Sequence, residues 1–229
     1  MSLLVRSWNL FHGNTLPPGR RAFVREMVEL VTADRPDVVC LQEVPLWAGP
    51  QLAAWSGMEA FVAVARGAPL GVLAGRLLTS LHHGLIRSAC SGQANAILVA
   101  PGLRARDGGA LQISEPGRER RVCHGVRLAA GLVVANLHAS NDDPPAARRE
   151  LDRALAWLDE RADGGAAVLA GDLNIAGLGV PGFSPPGPGI DQVLARGVPA
   201  TPLVVWPPER RRARGRLLSD HAPVELRAG

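Results

Sequence analysis

Our prediction of the fold starts from the stretch Ala166-Ala167-Val168-Leu169-Ala170-Gly171-Asp172-Leu173-Asn174. Its apolar first half has the length and composition of a buried strand, and it ends in a carboxylate and an amide. Three other places share this form: Val5–Asn9 ends in an asparagine, Val38–Glu43 ends in a glutamate, and Ser219–His221 directly precedes the apolar Ala222–Val224. Side chains at the ends of buried strands can be aimed into a common cleft by a rigid sheet.

These side chains predict a site for a hard divalent cation. Mg²⁺ prefers oxygen ligands, takes one or two carboxylates and retains several waters. We therefore predict a metal-assisted phosphate-ester hydrolase, with Mg²⁺ or Mn²⁺ as its cofactor.

The composition favours one globular domain spanning residues 1–229. Hydrophobic residues make up 47% of the chain, and no apolar run approaches the roughly 20 residues of a membrane-spanning helix. The N-terminus lacks the pattern of a signal peptide, and the scattered Cys40, Cys90 and Cys123 predict free thiols in a reducing cytoplasm. The net charge of +4 rests on arginine without any lysine. It favours phosphate-bearing partners, because arginine binds phosphate in a bidentate manner.

The order of apolar runs and turns predicts many strands and few helices. Helices are predicted over Arg20–Thr32, ahead of Pro36, and over Pro144–Ala162, which has proline at its first position. Strands are predicted at Leu3–Trp8, Asp37–Leu41, Ala60–Ala65, Leu70–Leu78, Gly84–Arg87, Ala96–Val99, Arg121–Leu128, Leu132–Leu137, Ala166–Ala170, Pro202–Val205 and Val224–Arg227. This pattern predicts two packed sheets with helices on their outer faces.

Seven short motifs, taken in chain order, resemble the endonuclease/exonuclease/phosphatase superfamily, whose members include deoxyribonuclease I, exonuclease III, neutral sphingomyelinases and inositol-polyphosphate phosphatases. The motifs are Ser7–Asn9, Leu41–Val44, Ala94–Leu98, Ala135–His138, Gly171–Asn174, Ile190–Asp191 and Ser219–Pro223. They run from the first strand to the last, so the resemblance covers essentially the whole chain. It implies an α/β fold, a four-layer αββα sandwich of two mixed β-sheets with helices on the outer faces.

The resemblance implies a metal site at Glu43, because the Leu-Gln-Glu position holds the metal-binding glutamate of the family. Asn9 and Asp220 are predicted to be its neighbours, as ligands or through water. Without the resemblance, Glu43 could be an ordinary charged residue at a strand end and Asn9 a turn residue.

His221 and Asp191 form the second predicted pair. An imidazole with a pKa near 6.5 can accept a proton from water at neutral pH, and a carboxylate on its other nitrogen raises its basicity. In the family, the histidine of Ser-Asp-His pairs with the aspartate of an Ile-Asp strand. Asp191 matches that position, although Gln192 follows it where an aromatic residue is common. The alternative for Asp191 is a helix cap ahead of residues 192–195.

Asp172 and Asn174 are two residues apart, so on an extended chain they would face the same side. The carboxylate is predicted to orient or activate the attacking water, and the amide to donate to a phosphate oxygen. The alternative is a plain turn, which Gly-Asp-x-Asn also suits.

A histidine stands at the position of His138 in the deoxyribonuclease I, sphingomyelinase and deadenylase-like branches. The resemblance therefore implies a proton-donating or phosphate-stabilising role for it, with a strand-end histidine as the alternative. Asn95 and Asn136 are predicted to support the substrate phosphate.

The remaining basic residues have no motif partner. His12, His82, His83 and His124 are predicted to be surface or strand-edge residues. The arginine groups at 118–121 and 210–216 could grip a nucleic-acid backbone, with solvated loops as the alternative.

The first prediction for the substrate is a nucleic acid, DNA or RNA, cleaved by an endo- or exonuclease. The alternative is a small-molecule or lipid head-group phosphate ester, favoured by the short chain and by the absence of the Gln-Glu-x-Lys and Trp-Asn-x-Asn-Gly forms of the repair branch. No hydrophobic hairpin for membrane insertion is evident in the sequence. A catalytically inactive binding module ranks last, because no motif residue is lost, and no protein partner is predicted.

Overall fold

Two β-sheets lie face to face in the middle of the molecule. The computed structural model describes residues 2–229, with the side chains at positions 85, 87, 88 and 89 outside the description. One sheet contains, in spatial order, β11 (Val204–Val205), β14 (Val224–Ala228), β1 (Leu3–Asn9), β3 (Val38–Val44), β5 (Gln93–Val99) and β4 (Glu59–Arg66). The other contains β10 (Asp191–Arg196), β9 (Ala167–Asp172), β8 (Val133–His138), β7 (Val122–Leu128) and β6 (Ala105–Gln112). A small third sheet joins β12 (Arg212–Ala213), β13 (Arg216–Leu218) and β2 (Thr15–Leu16).

The α-helices are α1 (Val24–Thr32), α2 (Leu52–Ser56), α3 (Val72–Leu81), α4 (His83–Cys90) and α5 (Pro144–Ala162). Helices α1 and α2 pack on the six-stranded sheet, and α5 packs on the five-stranded sheet. Both large sheets mix parallel and antiparallel pairs. The predicted four-layer αββα sandwich is confirmed.

Alternation along the central strands produces the layers. In β3, Val38 and Cys40 face the opposite sheet, whereas Val39 and Leu41 face α1. Because such strands are buried on both sides, they appear in the sequence as continuous apolar runs and lack the alternation of a half-exposed strand.

The long helix α5 has the predicted bounds. The Asp143 side chain accepts a hydrogen bond from the Ala146 amide, and Pro144 occupies the first helical position, where its missing N–H is harmless. Helix α1 begins at Val24, four residues later than predicted. The carbonyls of Gly19 and Arg20 accept hydrogen bonds from Gly84 and His83, so they are unavailable for a first helical turn.

Two predicted strands are wrong. The runs Leu70–Leu78 and Gly84–Arg87 lie mainly in α3 and α4, a helical hairpin between β4 and β5. The strand β6, which the sequence did not predict, pairs with β7 through backbone hydrogen bonds despite its polar and glycine-rich composition. Asp191 begins a strand, so the helix-cap alternative is also wrong.

All three cysteines are free thiols, as predicted. No helix in the described part of the chain is both long enough and apolar enough to cross a bilayer.

Candidate active site

The polar strand ends converge at one edge of the sandwich. Asn9 ends β1 and Glu43 lies at the end of its parallel neighbour β3. In the other sheet His138 ends β8 directly opposite Asp172 at the end of β9, and Asp191 begins β10 opposite the same Asp172. Parallel strands end at the same edge of a sheet, which brings these side chains together.

Local backbone geometry aims the two central carboxylates. Gly171 has φ +143°, and a Cβ atom there would lie 1.8 Å from the Leu137 carbonyl oxygen, so only glycine lets β9 approach β8 just before Asp172. The pairing of β3 with β5 is irregular between Leu41 and Val44, and Glu43 within that irregularity has φ +51°.

Strained backbone is concentrated at this edge. Among the described residues, nine non-glycine residues have positive φ, and five of them lie at the site. These five are Phe11, His12, Glu43, Asn174 and Ser219. Such conformations persist where the surrounding structure holds them, and they are enriched in active sites.

The amide of Asn9 links the carboxylates of Glu43 and Asp172. Its Nδ2 donates to Glu43 Oε1 at 3.3 Å and to Asp172 Oδ2 at 3.1 Å. Its Oδ1 accepts from the Phe11 amide at 2.9 Å, which sets the orientation of the side chain. Asn9 therefore presents its amide donors to both carboxylates, beside the predicted metal site where the sequence places it as a ligand or as a neighbour through water.

Glu43 has the features of a cation ligand. Its side chain is 19% exposed, burial raises its pKa, and the charge of Asp220 raises that pKa further. Its polar contacts are long: 3.3 Å to Asn9 Nδ2 and 3.3 Å to His12 Nε2. A half-buried carboxylate held only by such long contacts is a candidate ligand for a divalent cation.

His221 and Asp191 form the predicted pair. His221 Nδ1 lies 2.9 Å from Asp191 Oδ2, and His221 Nε2 lies 3.8 Å from Asp172 Oδ2. Burial disfavours the charged imidazole, but the hydrogen bond with Asp191 and the charges of Asp191, Asp172 and Asp220 outweigh it and raise the pKa of His221 to about 9. Burial and the Asp191 charge raise the pKa of Asp172 to about 6.

His138 has the opposite electrostatic environment. Its Nε2 lies 3.8 Å from Asp172 Oδ2 and 3.9 Å from Glu43 Oε1. Arg121 Nη1 lies 3.2 Å from His138 Nδ1 and 3.1 Å from Nε2, and Arg121 also pairs with Glu119. Burial, followed by the charge of Arg121, holds the pKa of His138 well below its usual range, so the imidazole is neutral.

Asn174 reaches the site by a turn and not along an extended strand. Strand β9 ends at Asp172, and Asn174 has φ +51°. The Asn174 backbone N–H donates to Asp172 Oδ1 at 3.1 Å, and its Nδ2 donates to the Ala139 carbonyl at 2.9 Å. The sequence predicted that these two residues face the same side of an extended chain. In the structure they are neighbours because the chain turns after Asp172.

The predicted supports lie beneath the site. Asn136 is fully buried, donates to the carbonyls of Leu41 and Ala96 and accepts from Gln42, so it ties the two sheets together. Asn95 is also buried and donates to the Val122 carbonyl. Through these hydrogen bonds both side chains hold the framework of the site.

The loop that carries Asp220 and His221 is held from behind by Arg211. The Arg211 Nη1 group donates to the carbonyls of Leu218, Ser219 and His221 at 2.9–3.0 Å. Ser219 Oγ donates to the Asn9 carbonyl at 2.7 Å, and Trp8 Nε1 donates to the His221 carbonyl at 3.0 Å. The sequence predicts the arginines at 210–216 to bind a nucleic-acid backbone or to form a solvated loop. Arg211 does neither, because it is buried and supports the loop of Asp220 and His221 from the interior.

His12 was not predicted at the site. It is buried, and Ser91 Oγ lies 3.2 Å from its Nδ1 while its Nε2 faces Glu43. Its place three residues after Asn9 is the one sequence signal that could have suggested it. With Arg66, Gln93, Arg121 and Asn141 it lines a cavity of about 260 Å³ beside Glu43.

One further grouping involves Asp172, Asp191 and His221, whose ligand atoms lie within 4.8 Å of one another. The short contact between His221 and Asp191 is that of a hydrogen-bonded pair. We therefore favour the Glu43 side for a hard cation, with Asp172 shared between the two.

The model of the Endonuclease/Exonuclease/phosphatase family matches residues 7–221, which include every one of these side chains. The chain belongs to that family. Its members are generally hydrolytic phosphoesterases that use divalent metals. No curated protein matches the chain in sequence.

Solved structures of the endonuclease/exonuclease/phosphatase fold superpose over nearly the whole chain. A functionally unknown conserved protein from Enterococcus faecalis V583 has a TM-score of 0.72 at 16% identity, covering 99% of both chains. An endonuclease/exonuclease/phosphatase from Beutenbergia cavernae DSM 12333 has a TM-score of 0.71 at 18% identity, covering 99% of this chain and 71% of that one. TDP2 from Caenorhabditis elegans has a TM-score of 0.69 at 15% identity, covering 100% and 75%. At these identities the likeness concerns the fold.

Proposed function

We propose that this chain hydrolyses phosphodiester bonds with the help of a divalent metal ion. The observation that carries the proposal is the pair of carboxylates, Glu43 and Asp172, bridged by Asn9 and flanked by His138 and His221. Family membership supports phosphodiesterase or nuclease-type chemistry.

Glu43 would hold Mg²⁺ or Mn²⁺, with Asp172 and Asp220 close by. The bound cation would neutralise the phosphate and stabilise the leaving oxygen. Asn9 fits a role in orienting both carboxylates, since its Nδ2 contacts each of them.

The pKa values favour a division of roles different from the one that the sequence predicted. His221, with a pKa of about 9, carries a proton at neutral pH and would stabilise negative charge on the phosphate. Asp172, with a pKa of about 6, is ionised and would accept the proton of the attacking water. Asp191 orients His221 through the 2.9 Å contact.

On the opposite side, the neutral His138 would donate one N–H to the phosphate, and Arg121 would add positive charge behind it. Asn174 uses its backbone N–H to fix Asp172, while its side chain is anchored on Ala139. Its role in the proposal is therefore to position Asp172.

A nucleic acid, DNA or RNA, is the first candidate substrate. A cavity of about 390 Å³ is lined by Arg20, Arg21, Arg214 and Arg216, and its positive charge suits a phosphate backbone. Arg210 and Arg211 do not belong to that surface. Arg210 pairs with Asp34 and stacks on Trp206, and Arg211 is buried.

A lipid head-group or small-molecule phosphate ester is the second candidate. The observation that favours it is a row of exposed leucines on α3, whose apolar surface suits a lipid. An inactive binding module remains last, because every motif residue named above is present.

The test is a panel of hydrolysis assays with plasmid DNA, single-stranded DNA, RNA, bis-p-nitrophenyl phosphate and lipid head-group esters. EDTA should abolish all hydrolysis, and Mg²⁺ or Mn²⁺ should restore it. Full activity in chelator would refute the metal role. DNA cleavage should weaken steeply as salt rises, while cleavage of the small diester should change little.

A further inference from the structure

The α3–α4 hairpin exposes a row of four leucines, here called the leucine stripe: Leu70, Leu73, Leu77 and Leu81. Their exposed fractions are 63%, 84%, 69% and 69%. Three of them follow helical spacing along α3, and Leu70 extends the row just before the helix. Apolar side chains grouped this way on a surface usually mark an interaction site.

The stripe points outward because the opposite face of α3 is fixed against the molecule. Gly75 packs so closely on α4 that a Cβ atom there would lie 2.2 Å from the Cys90 carbonyl oxygen. Thr79 on the same face is buried. Residues two apart in an α-helix differ by about 200°, so Leu77 lies almost opposite Gly75.

The surroundings of the stripe are positively charged. The sequence contains no aspartate or glutamate between Glu59 and Asp107. Arg21 and Arg76 line a cavity of about 240 Å³ together with Ser80 of α3. Arg21 also lines the neighbouring cavity that contains Arg20, Arg214 and Arg216. Glu26, which pairs with Arg21 and Arg214, offsets only part of this charge.

The hairpin contacts the candidate active site through the start of α4. His83, the first residue of α4, has its Nε2 2.8 Å from the His12 carbonyl, and His12 Nε2 lies 3.3 Å from Glu43 Oε2. These contacts tie the inner side of the hairpin to the edge of the sandwich that carries Glu43.

We propose that the leucine stripe and the adjacent arginines dock on the surface of an anionic phospholipid bilayer. Leucines on one face with cationic side chains beside them are the composition of an interfacial membrane helix. A nucleic acid would fit the arginines but leave the leucines exposed to water. A second copy of the chain would gain on the order of a few hundred Å² from the stripe, below the roughly 800 Å² per partner of a stable interface. The docking concerns where the chain works, and it goes beyond the hydrolytic function proposed above.

The test is co-sedimentation with vesicles of phosphatidylcholine alone and of phosphatidylcholine mixed with phosphatidylglycerol, in EDTA so that hydrolysis plays no part. The native protein should sediment with the anionic vesicles at least about tenfold more than with the neutral ones, and less as salt rises. The variant Leu73→Ser/Leu77→Ser/Leu81→Ser should lose this binding. The single change Leu73→Ser, at the most exposed leucine, should weaken it in part.

The matched control is Val204→Ser/Val205→Ser, which removes two exposed apolar side chains from the edge strand β11. It should bind anionic vesicles like the native protein, and all variants should hydrolyse bis-p-nitrophenyl phosphate equally. No binding by the native protein, or equal loss in stripe and control variants, would overturn the proposal. So would a native dimer in light scattering that the stripe variant abolishes, or plasmid DNA retention through Arg20 and Arg214 without vesicle binding. Because the vesicle assay needs no catalysis, its failure is separable from failure of the hydrolase assignment.

Discussion

His221 and His138 face the same carboxylate from two sides, yet their protonation is opposite. Each Nε2 lies 3.8 Å from Asp172 Oδ2. Behind His221 stands the carboxylate of Asp191, which raises its pKa against the effect of burial; behind His138 stands the guanidinium of Arg121, which joins burial in lowering it. The charged neighbour of each imidazole therefore sets its protonation, because burial alone would make both neutral.

The largest effect should follow from removing the carboxylate that both histidines share. Asp172→Asn keeps the shape of the side chain but cannot accept a proton, so turnover should fall about 10³–10⁴-fold. The measurement is the hydrolysis rate of bis-p-nitrophenyl phosphate, with the fold checked by circular dichroism.

The control for that change is Asp152→Asn, at an exposed aspartate paired with Arg148 on α5. It should leave turnover unchanged. An Asp172→Asn enzyme within tenfold of the native rate would show that the shared carboxylate is not the proton acceptor.

The next largest effect on turnover should come from removing the charged neighbour of each histidine. Asp191→Asn removes the attraction that keeps His221 protonated, so turnover should fall about 10²-fold and the alkaline limb of the pH–rate profile should move to lower pH. Arg121→Gln should raise the pKa of His138, an opposite displacement. Imidazole nitrogen shifts in NMR titrations would follow each ring separately. Parallel shifts in the two variants would contradict the comparison.

A smaller effect on turnover should come from changing Arg211, which holds the loop of His221 in place. Arg211→Met removes the donor to three carbonyls of the loop, which should lower turnover about tenfold with little change in KM for the small diester. The exposed Arg214→Met is the matched control and should leave that reaction unchanged. Added guanidinium should partly restore an Arg211→Ala variant; a purely structural loss would show no such rescue.

The smallest effect concerns stability and its dependence on pH. The folded-state pKa of His221, about 9, lies above the ordinary value, so protonated His221 stabilises the folded state. That contribution is fully present below about pH 6.5 and is lost as pH rises through 9. The depressed pKa of His138 acts oppositely, destabilising the fold as pH falls below about 6.5. Asp191→Asn should therefore lower the free energy of unfolding by about 1–2 kcal/mol at pH 6 and by much less at pH 10. Urea denaturation at both pH values measures it, and a pH-independent difference would count against the raised pKa.

Local chemistry made much of the fold predictable. The buried runs before Asn9, Glu43 and Asp172 are strands because they are apolar and bounded by turns, and α5 has its predicted bounds because Asp143 and Pro144 specify its start. The run Leu70–Leu78 has the same apolar composition as a buried strand, but it lies mainly in the helix α3, with Leu70, Leu73 and Leu77 exposed at the surface. Composition within a short window does not distinguish these outcomes.

The groups that could do chemistry can be recognised in the sequence, as motif residues at strand ends that resemble one family. The protonation of those groups and the contacts that hold them depend on the folded structure. Asp191 lies 30 residues from His221, and Arg121 lies 17 residues from His138, yet each shifts the pKa of its histidine. Buried Arg211 donates a hydrogen bond to the His221 carbonyl, ten residues away. Burial and charge act through space, so pKa values and supports follow from packing and cannot be obtained from spacing along the chain.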